Sequence, residues 1–167
     1  MEPLLLGLTK NNISVFLTEK SSHAKTHFAH HPRLEAAVKN AIPNITLHAE
    51  MVRMQVDTTD IVGTSDLIET TSDDEIVYAM RVARTSYSRF VKNKKPVETN
   101  SIVIDIRRDR NNPTTYFLYT AYVGHLVPSF PGGEYQPEQS IKFWSNHALV
   151  WGTQEVLPET ITTLYPW

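Results

Sequence analysis

The sequence predicts an α+β fold in which N-terminal helices pack on an antiparallel sheet of about four to five strands, with one further helix near the C-terminus. Apolar residues at helical spacing occur before residue 45 and again over residues 136–150. Between them, residues 76–123 hold β-branched and aromatic runs separated by short polar turns, which is typical of antiparallel hairpins. The 167 residues match the length of one domain, so residues 1–167 are expected to fold as a single domain.

Local signals set the limits of these elements. Ser21 and Ser22 are candidate N-caps, Pro43 ends a helix, and Gly124 ends the last strand. The predicted elements are, in order, a strand at residues 13–17, helices at 23–30 and 34–42, a strand at 47–56, an exposed acidic connection at 57–75, strands at 76–84, 87–91, 101–108 and 114–123, and a helix at 136–150.

The composition excludes several classes of protein. The chain has no cysteine, which rules out disulfides, thiolate metal sites and a cysteine nucleophile. The net charge of −2 gives no overall basic excess of the kind that nucleic-acid-binding domains show. The start of the chain has an acidic residue where a signal peptide needs a basic one, and its apolar run is too short to span a membrane. A cytoplasmic protein without a membrane or export segment is therefore expected.

The charge is distributed unevenly along the chain. From Glu50 to Glu75 there are eight acidic residues and the single base Arg53. From Arg81 to Arg110 there are nine of the sixteen basic residues and three acids, a local net charge of +6. If the strands of this basic stretch share a sheet, one side of the protein becomes cationic and suits a polyanion. The alternative is a set of solvated strand edges, where lysine prevents edge-to-edge pairing.

Four of the seven histidines lie within nine positions, and three interpretations compete for them. His23 and His27 are four residues apart and share a helix face, as do His27 and His31. Such pairs bind zinc, but no glutamate or cysteine completes a known zinc motif here. A histidine near a helix end also packs as a structural residue. The third interpretation is acid–base catalysis, because imidazole titrates near neutral pH.

Two further histidines and one threonine lie at positions where functional residues often occur. His125 follows Gly124 and precedes a proline-rich loop, and Thr120 lies near the same strand end, where a substrate crevice would open. His147 has aromatic and aliphatic neighbours, which fits an interior residue and also fits a histidine tuned by partial burial.

Arginine and tyrosine alternate in the predicted strands. Arg81 and Arg84 interrupt an apolar strand and would point to opposite faces if that strand is regular. Tyr87, Arg89 and Tyr122 add guanidinium and aromatic groups. Bases stack on aromatic rings and phosphates pair with arginine, so this mixture suits RNA. Tyrosine is also a good strand residue, which alone explains several of these positions.

Four segments follow one another in the order SHAKTHFAHHPRLE, YAMRVARTSYSRF, FLYTAYVGH and FWSNHALVW. This arrangement resembles the barnase–EndoU–colicin–RelE group of metal-independent ribonuclease toxins. That group has N-terminal helices on a four-stranded antiparallel sheet and cuts RNA on the open sheet face. Its toxin branches carry a helix-borne histidine, a strand arginine, a late serine, threonine or tyrosine, and often a second histidine. This chain departs from the pattern in having four histidines at the helical position.

The resemblance implies cleavage of RNA by attack of the ribose 2′-OH on phosphorus, with no metal ion or other cofactor. One of the helix histidines would share acid–base work with His147, and Arg84, with Arg81 as substitute, would hold the phosphate. Thr120 and Tyr87 would hydrogen-bond phosphate or ribose. RNA and an inhibitory protein are the implied partners. The implied catalytic residues are His23, His27, His31, Arg84, Thr120 and His147, and the implied substrate-binding residues are Arg81, Tyr87, Arg89, Tyr122 and His125.

Two other functions compete with the ribonuclease hypothesis. The first is a non-enzymatic protein-binding module, such as an immunity protein, antitoxin or adaptor, which would use the acidic stretch from Glu50 to Glu75 as its interaction surface. The second is a metal-dependent hydrolase centred on His23, His27 and His31. Ease of expression separates a binding module from a toxic nuclease, and loss of activity to a chelator identifies a metal enzyme.

Overall fold

The computed structural model describes residues 2–167 and has the α+β class that the sequence predicts, with two helices near the N-terminus and one near the C-terminus. In chain order the elements are β1 (Leu4–Leu8), β2 (Ser14–Leu17), α1 (Ser22–His30), α2 (Leu34–Ala41), β3 (Met51–Asp57), β4 (Gly63–Ser65), β5 (Leu67–Glu69), β6 (Ile76–Met80), β7 (Tyr87–Val91), β8 (Val97–Thr99), β9 (Ser101–Arg108), β10 (Tyr116–Val123), α3 (Glu138–Asn146) and β11 (His147–Val150). None of the helices within residues 2–167 is long and apolar enough to cross a membrane.

The backbone divides into two compact units. Unit 1 ends at Thr64 and resumes over Glu98–Leu126, and unit 2 comprises Ser65–Val97 and Val127–Trp167. The short strands β4 and β8 form a two-stranded sheet. The single domain expected from the chain length stays a prediction.

Unit 1 contains a five-stranded sheet in the order β1-β2-β10-β9-β3. One face of this sheet forms the main core with the helices. On β9, Ile102, Ile104 and Ile106 are buried in a cluster with Leu34 and Val38 of α2. Side chains alternate between the faces of a strand, so the residues between these isoleucines lie on the opposite face. The apolar residues of α2 recur at helical spacing and form its buried stripe.

Helix α1 lies along β10 where that strand loses its neighbour. β2 pairs with β10 only at Tyr116 and Phe117, and the chain then turns into α1, which packs against the rest of β10. Ala24 of α1 is buried in the main core, and Phe28, one turn later, packs against it. His23 and His27 are one position before these two residues, so they lie beside the core-facing stripe of the helix.

Unit 2 contains a four-stranded sheet in the order β5-β11-β7-β6. Its core includes the buried residues Val77, Ala79, Phe90 and Val91. Trp144 of α3 is buried, stacks on Phe130 with ring centroids 3.8 Å apart, and donates its indole N–H to the carbonyl oxygen of Pro128.

Several predicted elements differ from the structure. Both larger sheets are mixed, because β2–β10 and β7–β11 pair in parallel. The helix predicted over residues 136–150 ends at Asn146, since Ala148 and Val150 are buried in strand β11. The strand predicted over residues 76–84 ends at Met80 and leads into a turn. The predicted connection at residues 57–75 contains β4 and β5, and β1 has no counterpart in the prediction. Strand pairing with distant segments overrides local propensity in these places.

Candidate functional site

Charged and aromatic residues gather on the face of the five-stranded sheet that lies opposite the main core, which we call the Asp105 face. Asp105 and Arg107 of β9 are on this face because they alternate with the buried isoleucines. Register pairing places Arg53 of β3 on one side of Asp105 and Thr120 of β10 on the other. Residues far apart in the sequence therefore meet on three adjacent strands of unit 1.

Asp105 is a buried carboxylate held between two arginines. Its side chain is 1% exposed, and its oxygens accept hydrogen bonds from Arg53 Nε at 3.0 Å and from Arg107 Nε at 3.1 Å. Arg107 Nη2 adds a third bond at 3.3 Å. The hydrogen bond to Asp105 raises the pKa of Arg107 above its ordinary value. The carboxylate thus fixes two guanidinium groups, whose side chains are 45% and 35% exposed and remain accessible to a ligand.

A break in the strand register brings an aromatic ring under Arg107. The pairing of β10 with β9 shifts between Leu118 and Thr120, which leaves Tyr119 as the extra residue of a β-bulge. The guanidinium carbon of Arg107 lies 3.6 Å from the Tyr119 ring centroid. Bulges re-aim side chains, and here the result is a cation stacked on an aromatic ring. An arginine fixed by a carboxylate and a ring presents its remaining N–H groups in a defined geometry.

Two histidines of α1 border the same face. The His23 ring centroid lies 6.0 Å from that of Tyr119, and the His27 centroid lies 6.1 Å from that of Tyr122. Burial lowers the pKa of His27, and the neighbouring His31 lowers it further. Burial raises the pKa of Tyr122, so this group stays a neutral phenol. A neutral imidazole, a phenol and a fixed guanidinium therefore occupy one face of unit 1.

The other predicted residues of unit 1 lie near this group in different settings. Thr120 is buried beside Asp105 in the strand register. His31 is the C-cap of α1 and has an extended backbone, and its N–H still bonds to the carbonyl oxygen of His27 at 2.9 Å. His125 follows Gly124, whose backbone φ is +138°. Hydrogen bonds from Ser101 and Gln55 lower the pKa of Asp57, and the charge of His125 lowers it further.

The remaining predicted residues belong to unit 2. Arg81 Nε donates to Ser88 Oγ and its Nη1 donates to Gln154 Oε1, both at 2.9 Å, and burial lowers its pKa. Arg84 lies in the turn that ends β6, where its N–H bonds to the carbonyl oxygen of Arg81. The nine basic residues from Arg81 to Arg110 are therefore divided between the two units, with six in unit 2 and three in unit 1.

The contacts of His147 and Arg89 in unit 2 are structural. His147 begins β11 and stacks on Phe143 with centroids 4.1 Å apart, and its Nδ1 donates to the Phe143 carbonyl oxygen at 3.0 Å. Arg89 Nη1 donates to Thr70 Oγ1 and to the carbonyl oxygen of His147. Tyr87 begins β7 and is half-buried. An acid–base role for His147 and phosphate binding by Arg84 stay predictions.

Arg53, Asp105 and Arg107 were not predicted as site residues from the sequence. A signal was present in SIVIDIRR, where a carboxylate interrupts an apolar strand two positions before an arginine on the same face. Arg53 was visible as the single base of the acidic stretch, but only strand pairing shows its partner. Among residues 2–167, no group of three or more histidine, aspartate or glutamate side chains is arranged to hold a metal ion.

The lowered pKa of His27 predicts a measurable titration. The folded protein keeps His27 neutral at pH values where the same residue in the unfolded chain, with a pKa near 6.5, binds a proton. The difference between the folded and unfolded pKa of His27 contributes its full stability above pH 6.5. This contribution is lost as the pH falls from 6.5 toward the lower pKa of the folded protein. We expect the His27 imidazole signals in NMR spectra to titrate with a midpoint below 6.5.

The variant His31→Gln should raise this midpoint, because the charge of His31 is the largest electrostatic cause of the lowered pKa. The matched control, His48→Gln, changes an exposed histidine outside the helix and should leave it unchanged. A His27 midpoint at or above 6.5 contradicts the prediction.

Comparison with known proteins finds no protein-family model, no curated protein and no solved structure that matches this chain.

Proposed function

We propose that this protein is an endoribonuclease that binds single-stranded RNA on the Asp105 face of unit 1 and cleaves it by attack of the ribose 2′-OH. One observation carries the proposal. Asp105 fixes Arg107, which stacks on Tyr119, and the ring centroid of His23 in α1 lies 6.0 Å from that of Tyr119. This is a phosphate-binding cation next to acid–base groups and aromatic rings. The same combination supports the resemblance to the metal-independent ribonuclease toxins.

The aromatic residues account for a preference for single strands. Tyr119 and Tyr122 are half-buried and lie three residues apart on β10. Unpaired bases stack on such rings, whereas a duplex keeps its bases stacked on each other. Arg53 and Arg107 flank the rings and supply the positive charge that a phosphate backbone requires.

The acid–base roles follow from the positions and the pKa of the histidines. His27, kept neutral by its lowered pKa, accepts the proton of the 2′-OH as the oxygen attacks phosphorus. The bond from phosphorus to the 5′ oxygen breaks, and His23, one helical turn away, donates a proton to the leaving oxygen. Arg107 stabilises the negative charge that accumulates on the phosphoryl oxygens. The products are a 2′,3′-cyclic phosphate and a free 5′-hydroxyl. No metal ion enters these steps, because the nucleophile belongs to the substrate.

The direct test is cleavage of single-stranded RNA by purified protein in excess EDTA. We expect cleavage, with product masses that correspond to a cyclic phosphate at the new 3′ end. The matched substrate is the same oligonucleotide with 2′-O-methyl groups throughout, which should bind and remain intact because it lacks the nucleophile. An Arg107→Gln variant should cleave about 10²–10³-fold more slowly, which is the usual cost of removing one hydrogen-bond donor to the transition state.

Two results would overturn the proposal. The first is folded protein that neither binds nor cleaves any RNA, which would favour the protein-binding module. The second is cleavage of the 2′-O-methyl oligonucleotide, because that reaction requires an external nucleophile.

A further inference from the structure

A recess of about 300 Å³ lies in unit 1 at the end of the sheet where β9 turns into β10. Lys20, Arg107, Arg108, Arg110, Phe117 and Tyr119 line it. Four of these six side chains are cationic, two are aromatic, and none is a carboxylate. The recess therefore has the chemistry of an anion-binding site rather than of an apolar pocket.

Neighbouring residues contact two of the cations of this recess. Lys20 Nζ lies 3.1 Å from Asp109 Oδ1 and 5.5 Å from the Phe117 ring centroid. Arg108 bonds the Tyr116 hydroxyl through Nε and Nη2, at 3.2 and 3.1 Å. Arg110 is exposed. Together with the contacts of Arg107 to Asp105 and Tyr119, these contacts hold three of the four cations in place before a ligand arrives.

The recess is continuous with the proposed cleavage site, because Arg107 and Tyr119 belong to both. Along β10, Lys20 lies over Phe117, then His23 beside Tyr119, and then His27 beside Tyr122. Phe117 and Tyr122 pair with Arg107 and Val103 of β9, which are four residues apart, so at about 3.3 Å per strand residue they are roughly 13 Å apart. An RNA strand that follows β10 past the histidines therefore brings its next phosphate toward the recess.

We propose that this recess binds a second phosphate of the RNA, adjacent to the one that is cleaved. This inference rests on the proposed ribonuclease function and specifies its substrate class, which is an oligonucleotide with a phosphate beyond the scissile bond. The phosphate is either an internal phosphodiester or a terminal monophosphate, since the same cations recognise both.

The test compares kcat/KM for a dinucleoside monophosphate with values for the same dinucleotide extended on its 5′ or its 3′ side. One set of extensions adds a whole nucleotide and the other adds only a terminal phosphate. One side should give a gain of about tenfold, as expected for a charge-assisted phosphate contact. A gain from the terminal phosphate alone identifies the monophosphate as sufficient, and a gain that needs the added nucleotide identifies the phosphodiester.

The variants Lys20→Gln and Arg110→Gln should reduce this gain toward one. Each variant should also make binding to a 2′-O-methyl hexanucleotide less dependent on salt. The slope of log K against log salt concentration should become shallower by about 0.7. The matched control is Lys39→Gln, which removes one positive charge from α2 in the same unit and keeps the gain. A gain that persists in both recess variants overturns the second site.

A titration with inorganic pyrophosphate, followed by NMR of backbone amides, separates the failure of this inference from the failure of the proposed function. Binding that shifts the amides of Lys20 and Arg108 and weakens in Arg110→Gln supports the recess as a phosphate site. Pyrophosphate binding without any RNA cleavage overturns the proposed ribonuclease and leaves the anion site. Cleavage of RNA with no gain on extension and no pyrophosphate binding overturns the recess and leaves the ribonuclease.

Discussion

Replacement of His27 by alanine is expected to lower kcat/KM for RNA cleavage by about 10²–10⁴, the usual contribution of a general base. His27 is the histidine whose pKa burial lowers, and it lies beside Tyr122 at the edge of the Asp105 face. The neutral imidazole is the form that accepts the 2′-OH proton. Activity of the wild-type protein should therefore fall as the pH drops below the folded pKa of His27, since protonation removes the base.

A substrate with a better leaving group distinguishes the general base, His27, from the general acid, His23. A ribonucleoside 3′-aryl phosphate with an acidic phenol needs no proton on its leaving oxygen. With this substrate, His23→Ala should recover most of its rate, because the role assigned to His23 is to protonate the leaving group. His27→Ala should remain slow, because the 2′-OH still has to lose its proton.

The control for loss of an imidazole is His48→Ala, which changes an exposed histidine outside the helices and strands of unit 1. It should retain the activity of the wild type. Circular dichroism should show that each variant is folded. A folded His27→Ala variant with kcat/KM within about twofold of wild type would exclude His27 from the chemistry.

The second large effect is expected on stability. Asp105→Asn should lower the free energy of unfolding by about 3 kcal/mol, because the hydrogen bonds that two guanidinium groups donate to a buried carboxylate are lost or weakened. The carboxylate is 1% exposed and accepts from both Arg53 and Arg107. Asparagine has a single acceptor oxygen and no charge, so two guanidinium groups compete for one weaker partner.

Urea unfolding followed by circular dichroism measures this loss. Asp60→Asn is the matched control, because it neutralises an exposed carboxylate of unit 1 and should change stability by no more than about 0.5 kcal/mol. The three tryptophans all lie in unit 2, so tryptophan fluorescence recorded in the same titration reports on that unit separately. Equal midpoints for Asp105→Asn and Asp60→Asn would show that the buried pair contributes little.

Asp105→Asn should also reduce cleavage under conditions where the variant is folded. Arg107 keeps its contact with the Tyr119 ring but loses the charged partner that fixes its Nε and Nη2 groups. A looser guanidinium stabilises the transition state less well. The expected effect is on kcat more than on KM, because the contact strengthens as charge develops on the phosphoryl oxygens.

Elements with strong local signals were predicted well. The structure has α1 at Ser22–His30, β7 at Tyr87–Val91 and β9 at Ser101–Arg108, and the predicted helix and strands overlap them almost completely. The β-branched runs and short polar turns act over a few residues, so a sequence displays them directly. Ser21 lies at the N-cap position of α1, but its side chain makes no capping hydrogen bond there. The limits of α3 and β6 were wrong because β11 and the turn after Met80 depend on pairing with distant segments.

The candidate site was predicted only in part, and the missing part is the one that depends on register. The sequence identified His23, His27, Thr120 and Tyr122, which unit 1 brings to one region. It also selected Arg84 and His147, which belong to unit 2. No local pattern separates Arg84 from Arg107, because each follows a β-branched, largely apolar run in the sequence.

The sequence by itself determined the α+β class, the histidine-bearing helix and the strands that carry the aromatic residues, because periodicity and capping are local properties. Only the tertiary structure decided which arginines serve the Asp105 face. Arg53 and Asp105 are 52 residues apart, and their contact exists because β3 pairs with β9 in a register that places them opposite each other. A shift of that register by one residue would turn Arg53 to the other face of the sheet, since side chains alternate along a strand.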